Sequence, residues 1–326
     1  MSFILIFILS IIFLFFLSLI AYLYLLVTFN YNRKERNFAS KHILIFGASQ
    51  GLGEALSFRL SKQRVHLSIA ARTESKLKMT QEKCISINKN ITCDYYIVDI
   101  TNESDIKNCL EDCIKKNGFP NLIINCAGIA HPGFLEEIPL EIYYKDMELN
   151  YFGNLKLLKK ISELHKKNNI NEKIDIVCVG SILGIIGSIG YSTYAPSKYA
   201  LKGLLDSLRF EFIGKKINLH YYAPSNMETP GLEIENKNKP QIVKDMENNA
   251  KTISADEAAL ILLSNLDKYL ITTETDLELL KLCPGFMNEN RLFDFLLLPI
   301  AGLGIMFSRM GIENNILSKI KGEKIY

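Results

Sequence analysis

From His42 onward, short apolar runs alternate with longer amphipathic ones. The short runs are HILIF at 42–46, VHLSIA at 65–70, YYIV at 95–98, LIIN at 122–125, IDIVCV at 174–179 and INLHYYA at 217–223. Runs this continuous predict strands buried on both faces, as in a parallel sheet covered by helices. Between them apolar positions recur at helical spacing, for example from Ala200 through Leu208 to Phe212. The resulting β-α-β-α order predicts an α/β fold, a Rossmann-type doubly wound parallel sheet. There are no internal repeats and no long linker. The stretch Glu233–Asn249, dense in Lys, Glu and Asn, reads as an exposed, mobile excursion after the sixth strand, either a surface insertion or a lid.

Both ends depart from this pattern. Residues 3–29 contain no charged side chain, and a bilayer needs roughly 20 apolar residues. A secretory signal would bring a basic start, a shorter apolar core and a small-residue cleavage site. All three are missing, so a retained transmembrane helix is expected. Arg33, Lys34 and Arg36 follow it directly, which predicts a catalytic domain facing the cytosol. Near the other end, 295–307 is apolar but interrupted by Pro299, Gly302 and Gly304. That segment is too short for a span and predicts a re-entrant or interfacial, membrane-associated element. The expected organisation is an anchor at 1–32, a Rossmann domain at 38–270 and a membrane-associated extension at 271–326.

Composition mostly excludes. A net charge of +3 over 326 residues gives no basis for nucleic-acid binding. The seven cysteines lack metal-ligand spacing, so no metal site is expected and a reducing compartment fits.

Two stretches carry chemistry. Gly47-Ala48-Ser49-Gln50-Gly51-Leu52-Gly53 follows the first strand and opens a helical segment. Glycines there allow a tight turn and close approach of the backbone to a phosphate, and the helix start presents free N–H groups to it. The second strand ends at Arg72 where NAD-preferring enzymes place a carboxylate, and Lys76 lies one turn further on. Two cations fit the extra phosphate of NADPH/NADP+. Further along, Tyr194 and Lys198 stand at i and i+4 of a predicted helix and share a face. An ammonium beside a phenol favours the phenolate and lowers a pKa that is ordinarily about 10.

Together these motifs resemble the classical short-chain dehydrogenase/reductase family, over about Lys41 to Gly231. The similarity extends to Asp99-Ile100, to Asn125-Cys126-Ala127-Gly128, to Asn150 in ELNYFGN and to Ser181 in VGSILG. The resemblance implies that Tyr194 is the general acid, with Lys198 holding the nicotinamide ribose. It implies that Ser181 binds the substrate oxygen and that Asn150 completes a proton relay through water. For the cofactor it implies contacts from Gly47, Ser49, Gln50, Gly51, Leu52, Gly53, Arg72, Lys76, Asp99, Ile100, Asn125, Ala127, Tyr194, Lys198 and Thr229. Three positions depart from the family pattern: Phe46, Cys126 and Ser225 stand where threonine, asparagine and glycine are usual.

The loop after Ser181, ILGIIGSIGY, is almost wholly apolar, which favours a lipid substrate. With the N-terminal anchor, the resemblance narrows to membrane-bound reductases of long-chain sphingoid ketones, on the cytosolic side of the endoplasmic reticulum membrane. The expected partners are a long-chain lipid ketone and the bilayer. A 3-ketoacyl-CoA reductase, a steroid or retinol dehydrogenase and a non-catalytic NADP-binding protein stay open, as does a homo-oligomer.

Overall fold

The computed structural model describes residues 2–31, 35–247 and 252–273. The chain divides into two units, Met1–Lys34 with Glu274–Tyr326, and Glu35–Thr273. In the first, helix α1 spans Ser2–Tyr31. At about 1.5 Å per residue it is roughly 45 Å long. Its stretch Phe7–Tyr24 has a mean hydropathy of 2.5, long and apolar enough to cross a membrane. The segment 295–307 lies outside the described residues.

The second unit is built on seven strands. They are β1 (His42–Phe46), β2 (His66–Ala71), β3 (Thr92–Ile97), β4 (Leu122–Asn125), β5 (Ile174–Val179), β6 (Ile217–Ala223) and β9 (Leu270–Thr272). Their order is β3-β2-β1-β4-β5-β6-β9, and every pairing is parallel. Parallel neighbours need crossovers, and helices α2 (Gly51–Ser61), α3 (Glu74–Ile87), α4 (Glu103–Asn117), α6 (Gly153–Lys167) and α7 (Tyr194–Glu211) supply them. Helix α5 (Leu140–Met147) precedes α6, and α10 (Ala255–Ser264) precedes β9. Helix α2 packs against α3 and α10, while α4 packs against α6 and α5 against α7. Right-handed crossovers put these two groups on opposite faces of the sheet. Central strands are covered on both sides, and Ile43, Leu44 and Ile45 are wholly buried.

The chain reverses its direction of growth between β1 and β4. In open α/β sheets the crevice at the carboxyl ends of such strands is the ligand site. Gly47 follows β1 there and Asn125 ends β4, in register with Phe46.

Three features differ from the sequence reading. Strand β3 starts at Thr92 rather than 95, because one of its faces is only partly covered and its pattern is mixed. The seventh strand β9 and the two-residue pair β7 (Met227–Glu228) with β8 (Ile253–Ser254) are too short to carry a periodic signal.

The third concerns Glu233–Asn249. Its described part is helical: its first turns, Glu233 to Asn238, stay largely exposed as expected, whereas the residues that follow pack inward. It contributes α8 (Pro230–Asn238) and α9 (Gln241–Glu247), with Lys239, Ile242 and Val243 buried. Lys239 Nζ lies 3.2 Å from Glu235 Oε1 and 2.6 Å from Glu247 Oε2, with a side-chain exposure of 1%. Asn226 Nδ2 donates to the same Glu247 oxygen (3.1 Å). Sequence composition reads these residues as a solvated run; pairing of the charges is what allows their burial.

A lysine buried between two carboxylates cannot be deleted singly without stranding them. Lys239→Ala should destabilise the protein by about 3 kcal/mol and hasten proteolysis within 230–247. Urea unfolding and limited proteolysis test this, and an unchanged midpoint would show that α8 and α9 do not depend on the pair.

Candidate active site

The glycine turn is fixed by backbone proximity. Gly47 and Gly51 have φ of +75° and +59°, which side chains disfavour. A Cβ on Gly47 would meet Ala127 N at 2.7 Å, and one on Gly53 would meet Gly47 O at 2.3 Å. A Cβ on Gly51 would reach the Thr229 methyl at 3.2 Å. The turn is thus drawn tight against the Asn125–Ala127 and Thr229 segments. Gln50 gives α2 no side-chain cap; its Oε1 instead accepts from Lys76 Nζ (2.8 Å). The first-turn amides of α2 remain available to an anion. Leu52 is buried in the core behind them, while Ser49 is half-exposed at the turn.

Arg72 and Lys76 are both exposed beyond the end of β2. The nearest carboxylate in sequence, Glu74, is taken up by Lys78 (2.8 Å) and by the Tyr95 hydroxyl (3.2 Å). The charge available beyond β2 is therefore positive. Asp99 Oδ1 accepts from Thr101 N (2.9 Å) and Thr101 Oγ1 (2.8 Å). Burial pushes the Asp99 carboxyl up, but the Thr101 bonds with Arg72 and Lys156 outweigh it and hold the group below its ordinary value. Ile100, next to it, is buried where a Cβ on Gly153 would touch it at 3.1 Å. This cradle fits a nicotinamide dinucleotide: close-approach glycines, an uncapped helix start, two cations at the β2 end and an ionised carboxylate past β3.

Behind the cradle runs a chain of buried amides. Asn125 Oδ1 accepts from Ala127 N (3.1 Å), and its Nδ2 donates to Asn154 Oδ1 (2.8 Å). Asn154 Nδ2 donates to the carbonyl of Asn150 (2.8 Å). Asn150 sits in a single π-turn, Glu148–Phe152, between α5 and α6, the kind of helix defect often found at functional sites. Its Oδ1 accepts from Ile129 N (3.0 Å), and its Nδ2 donates to Ile129 O and Ser197 Oγ (both 2.9 Å). The side chain is fully occupied in tying the β4 loop to α7.

Ser181, Tyr194 and Lys198 come together across β5 and α7. Ser181 Oγ accepts from Leu183 N (3.1 Å) and is hydrogen-bonded to the Tyr194 phenol. Lys198 Nζ donates to Val179 O (3.0 Å) and lies 5.5 Å from the Tyr194 ring centroid. Burial pushes the Tyr194 pKa up; the Ser181 bond opposes this, and Glu235 and Asp146 add to it. Burial also lowers Lys198 to about 8, against the pull of Cys178, Asp146 and Cys126. Expectation and structure differ here. In the protein alone burial is the largest influence on both groups, and the phenol stands above its ordinary value rather than below it. A protonated Tyr194 is the state suited to giving a proton.

Above the phenol lies an apolar cluster, with Tyr191, Ala195, Ile242 and Val243 buried and Phe134, Leu183, Ile189 and Met246 half-buried against it. Tyr191 donates to Glu235 Oε1 (2.5 Å) and is also bonded to Glu247 Oε1 (3.2 Å). The sequence left Glu233–Asn249 open between a surface insertion and a lid, and the charges that pair within it, Glu235, Lys239 and Glu247, carry no periodic signal. His131 Nδ1 bonds Asp146 Oδ1 (2.6 Å). Of the departures, Ser225 N and Oγ both bond Thr273 Oγ1 (3.0 and 2.9 Å), Phe46 is buried in β1, and Cys126 is half-buried.

Below pH 8 the folded protein holds Lys198 charged against its burial, whereas the unfolded chain charges it freely. The penalty is full at neutral pH and fades as pH rises from about 8 towards 10.5, where the folded state no longer binds the proton. Lys198→Met should therefore be inactive yet about 1–3 kcal/mol more stable at pH 7, with the advantage shrinking above pH 8. Denaturant unfolding across pH measures this; a variant less stable than wild type at pH 7 would contradict it.

The short chain dehydrogenase family profile matches residues 41–240. A 3-ketodihydrosphingosine reductase of Dictyostelium discoideum is 34% identical over 81% of this chain and 84% of its own. A 3-dehydrosphinganine reductase of Danio rerio is 28% identical over 69% and 68%. The crystal structure of levodione reductase shares the fold, with a TM-score of 0.65 at 18% identity over 74% of this chain and 98% of that one. The glycine cradle, the Ser181–Tyr194–Lys198 grouping and these likenesses agree, and the chain belongs to the short-chain dehydrogenase/reductase family of nicotinamide-dependent oxidoreductases.

Proposed function

We propose that the protein reduces the ketone of 3-ketodihydrosphingosine to dihydrosphingosine with NADPH, as a step of sphingolipid synthesis. The observation that carries the reading is the apolar roof over the Tyr194 phenol, joined to relatives whose names state this activity. Bound NADPH supplies the hydride that reaches the carbonyl carbon. Ser181 holds the carbonyl oxygen, and Tyr194 gives that oxygen its proton as negative charge develops there. The phenolate then regains a proton from solvent, and Asn150 orders the local backbone on that side. Burial keeps the phenol protonated beforehand, which favours the reductive direction. Arg72 and Lys76 meet the 2′-phosphate that distinguishes NADPH from NADH.

Charge in the roof bears on the substrate head. Glu235 and Glu247 face a single Lys239, leaving an excess of negative charge near the phenol. That excess suits the ammonium group beside the ketone of a sphingoid base and opposes the phosphates of a CoA ester. Helix α1 serves as the membrane anchor in this reading, with the catalytic unit on the cytosolic side of the endoplasmic reticulum. Entry from the bilayer spares the acyl chain exposure to water, at about 0.8 kcal/mol per methylene.

Purified protein should turn over 3-ketodihydrosphingosine with NADPH and leave a 3-ketoacyl-CoA and a ketosteroid nearly untouched. Tyr194→Phe should lower kcat by about 10²- to 10⁴-fold while NADPH binding, followed by fluorescence, stays near the wild-type level. Preference for the CoA ester would sink the substrate assignment. Arg72→Ala should cut the NADPH-over-NADH ratio of kcat/KM by about tenfold or more, since a charge-assisted contact is worth roughly 1.5–3 kcal/mol. An unaltered ratio would remove Arg72 from phosphate recognition.

A further inference from the structure

Tyr221 has no place in the motifs above, yet its side chain runs beneath the catalytic residues. It lies on β6, paired with Cys178 of β5 and Leu270 of β9, and is wholly buried. Its hydroxyl accepts from Ser181 N (3.2 Å) and faces two carbonyl acceptors, Ser181 O (3.1 Å) and Lys198 O (3.4 Å). One phenol therefore grips both sides of the Ser181 peptide unit and reaches the backbone of the catalytic helix.

Space for it has been made in the chain. A Cβ on Gly180 would fall 2.0 Å from Tyr221 Cζ, and one on Gly184 would fall 2.0 Å from its hydroxyl oxygen and 2.8 Å from Lys198 O. No side chain fits at either position while the ring is present. Gly180 and Gly184 bracket Ser181, so the two glycines and the tyrosine form one steric unit around the serine that binds the substrate oxygen.

We infer that Tyr221 is a positioning residue for the ketone reduction. Its hydroxyl fixes Ser181 against α7, and so sets where Ser181 Oγ meets the Tyr194 phenol. The inference rests on the reductase reading above. The Tyr221 oxygen accepts from Ser181 N while its single proton is shared between Ser181 O and Lys198 O, which restricts the backbone that carries Ser181 Oγ. Without that hold, the segment keeps its flanking bonds, Gly180 N to Tyr222 O (2.7 Å), Ile182 N to Pro224 O (3.3 Å) and Gly184 N to Ser181 O (3.0 Å), and loses its tie to the Lys198 carbonyl. Burial raises the Tyr221 pKa, opposed by the Ser181 backbone bond and reinforced by Tyr194, Asp206 and Tyr199; the hydroxyl accordingly keeps its proton and remains a donor.

Tyr221→Phe keeps the ring and removes only the grip. With whichever ketone the wild type reduces, kcat should fall about 10- to 100-fold, the scale of a misplacement of about 1 Å, with KM for NADPH and the melting temperature close to wild type. In the reverse direction, NADP+-dependent oxidation of the alcohol, the rise of activity with pH should move to higher pH. The Ser181 bond lowers the Tyr194 pKa, and weakening it releases that restraint. In a Ser181→Ala background the same substitution should add little, because it acts through the serine. Wild-type kcat and pH profile in Tyr221→Phe would overturn the inference. So would a fully additive double variant, or a Tyr221→Phe protein that does not fold, either of which places the hydroxyl's role in the fold rather than at Ser181. Failure of the wild type on 3-ketodihydrosphingosine alone, with turnover of another ketone, would instead count against the substrate assignment and leave this test intact.

Discussion

A buried ammonium governs the layout of this site. Lys198 stands 2% exposed inside an α/β core, where an uncompensated charge is costly. Among the described residues its hydrogen bond is to Val179 O, at the end of β5, which ties strand and helix together at that point. Gly128 has no room for a side chain that would press on both Lys198 Nζ and Asn150 Oδ1, each 3.2 Å from a Cβ built there. Asn150 reaches α7 through Ser197, the residue preceding the lysine. The end of β5, the loop after β4 and the π-turn therefore converge on one helical turn, and the residues that bring them there are amides and glycines rather than further charges.

The same constraint explains the electrostatics. Both Tyr194 and Lys198 are shifted toward their neutral forms by burial, the phenol holding its proton and the ammonium holding its own less tightly. This favours proton donation over proton abstraction in the protein by itself. It also explains why the site tolerates carboxylates nearby. Glu235 and Asp146 each hold the Tyr194 proton in place, and Lys239 together with Tyr191 keeps the roof carboxylates satisfied.

Much of the fold was legible in the chain because parallel strands buried on both faces leave continuous apolar runs. The first, fourth, fifth and sixth strands stand where those runs lie. Strand β3 was read short because only one of its faces meets the core, and β9 was missed because three residues carry no period. At the site, the Gly47–Gly53 turn and the Tyr194–Lys198 spacing were visible because local backbone geometry demands them. Tyr221 was not visible. Its role depends on Gly180 and Gly184, some forty residues earlier, and only the pairing of β5 with β6 brings the three together.

The sequence by itself determined the family, the α/β order, the glycine turn, the cations beyond β2, and a first helix fit to cross a membrane, since each rests on residues near one another along the chain. Tertiary structure alone decided the rest: that α9 packs Ile242 and Val243 against the cluster beside Tyr194, that burial holds the Tyr194 phenol above its ordinary value, and that Tyr221 braces Ser181. The physical reason is common to all three. Burial and pairing depend on what lies opposite a residue in space, and a charged or aromatic residue reads alike in sequence whether water or another side chain faces it.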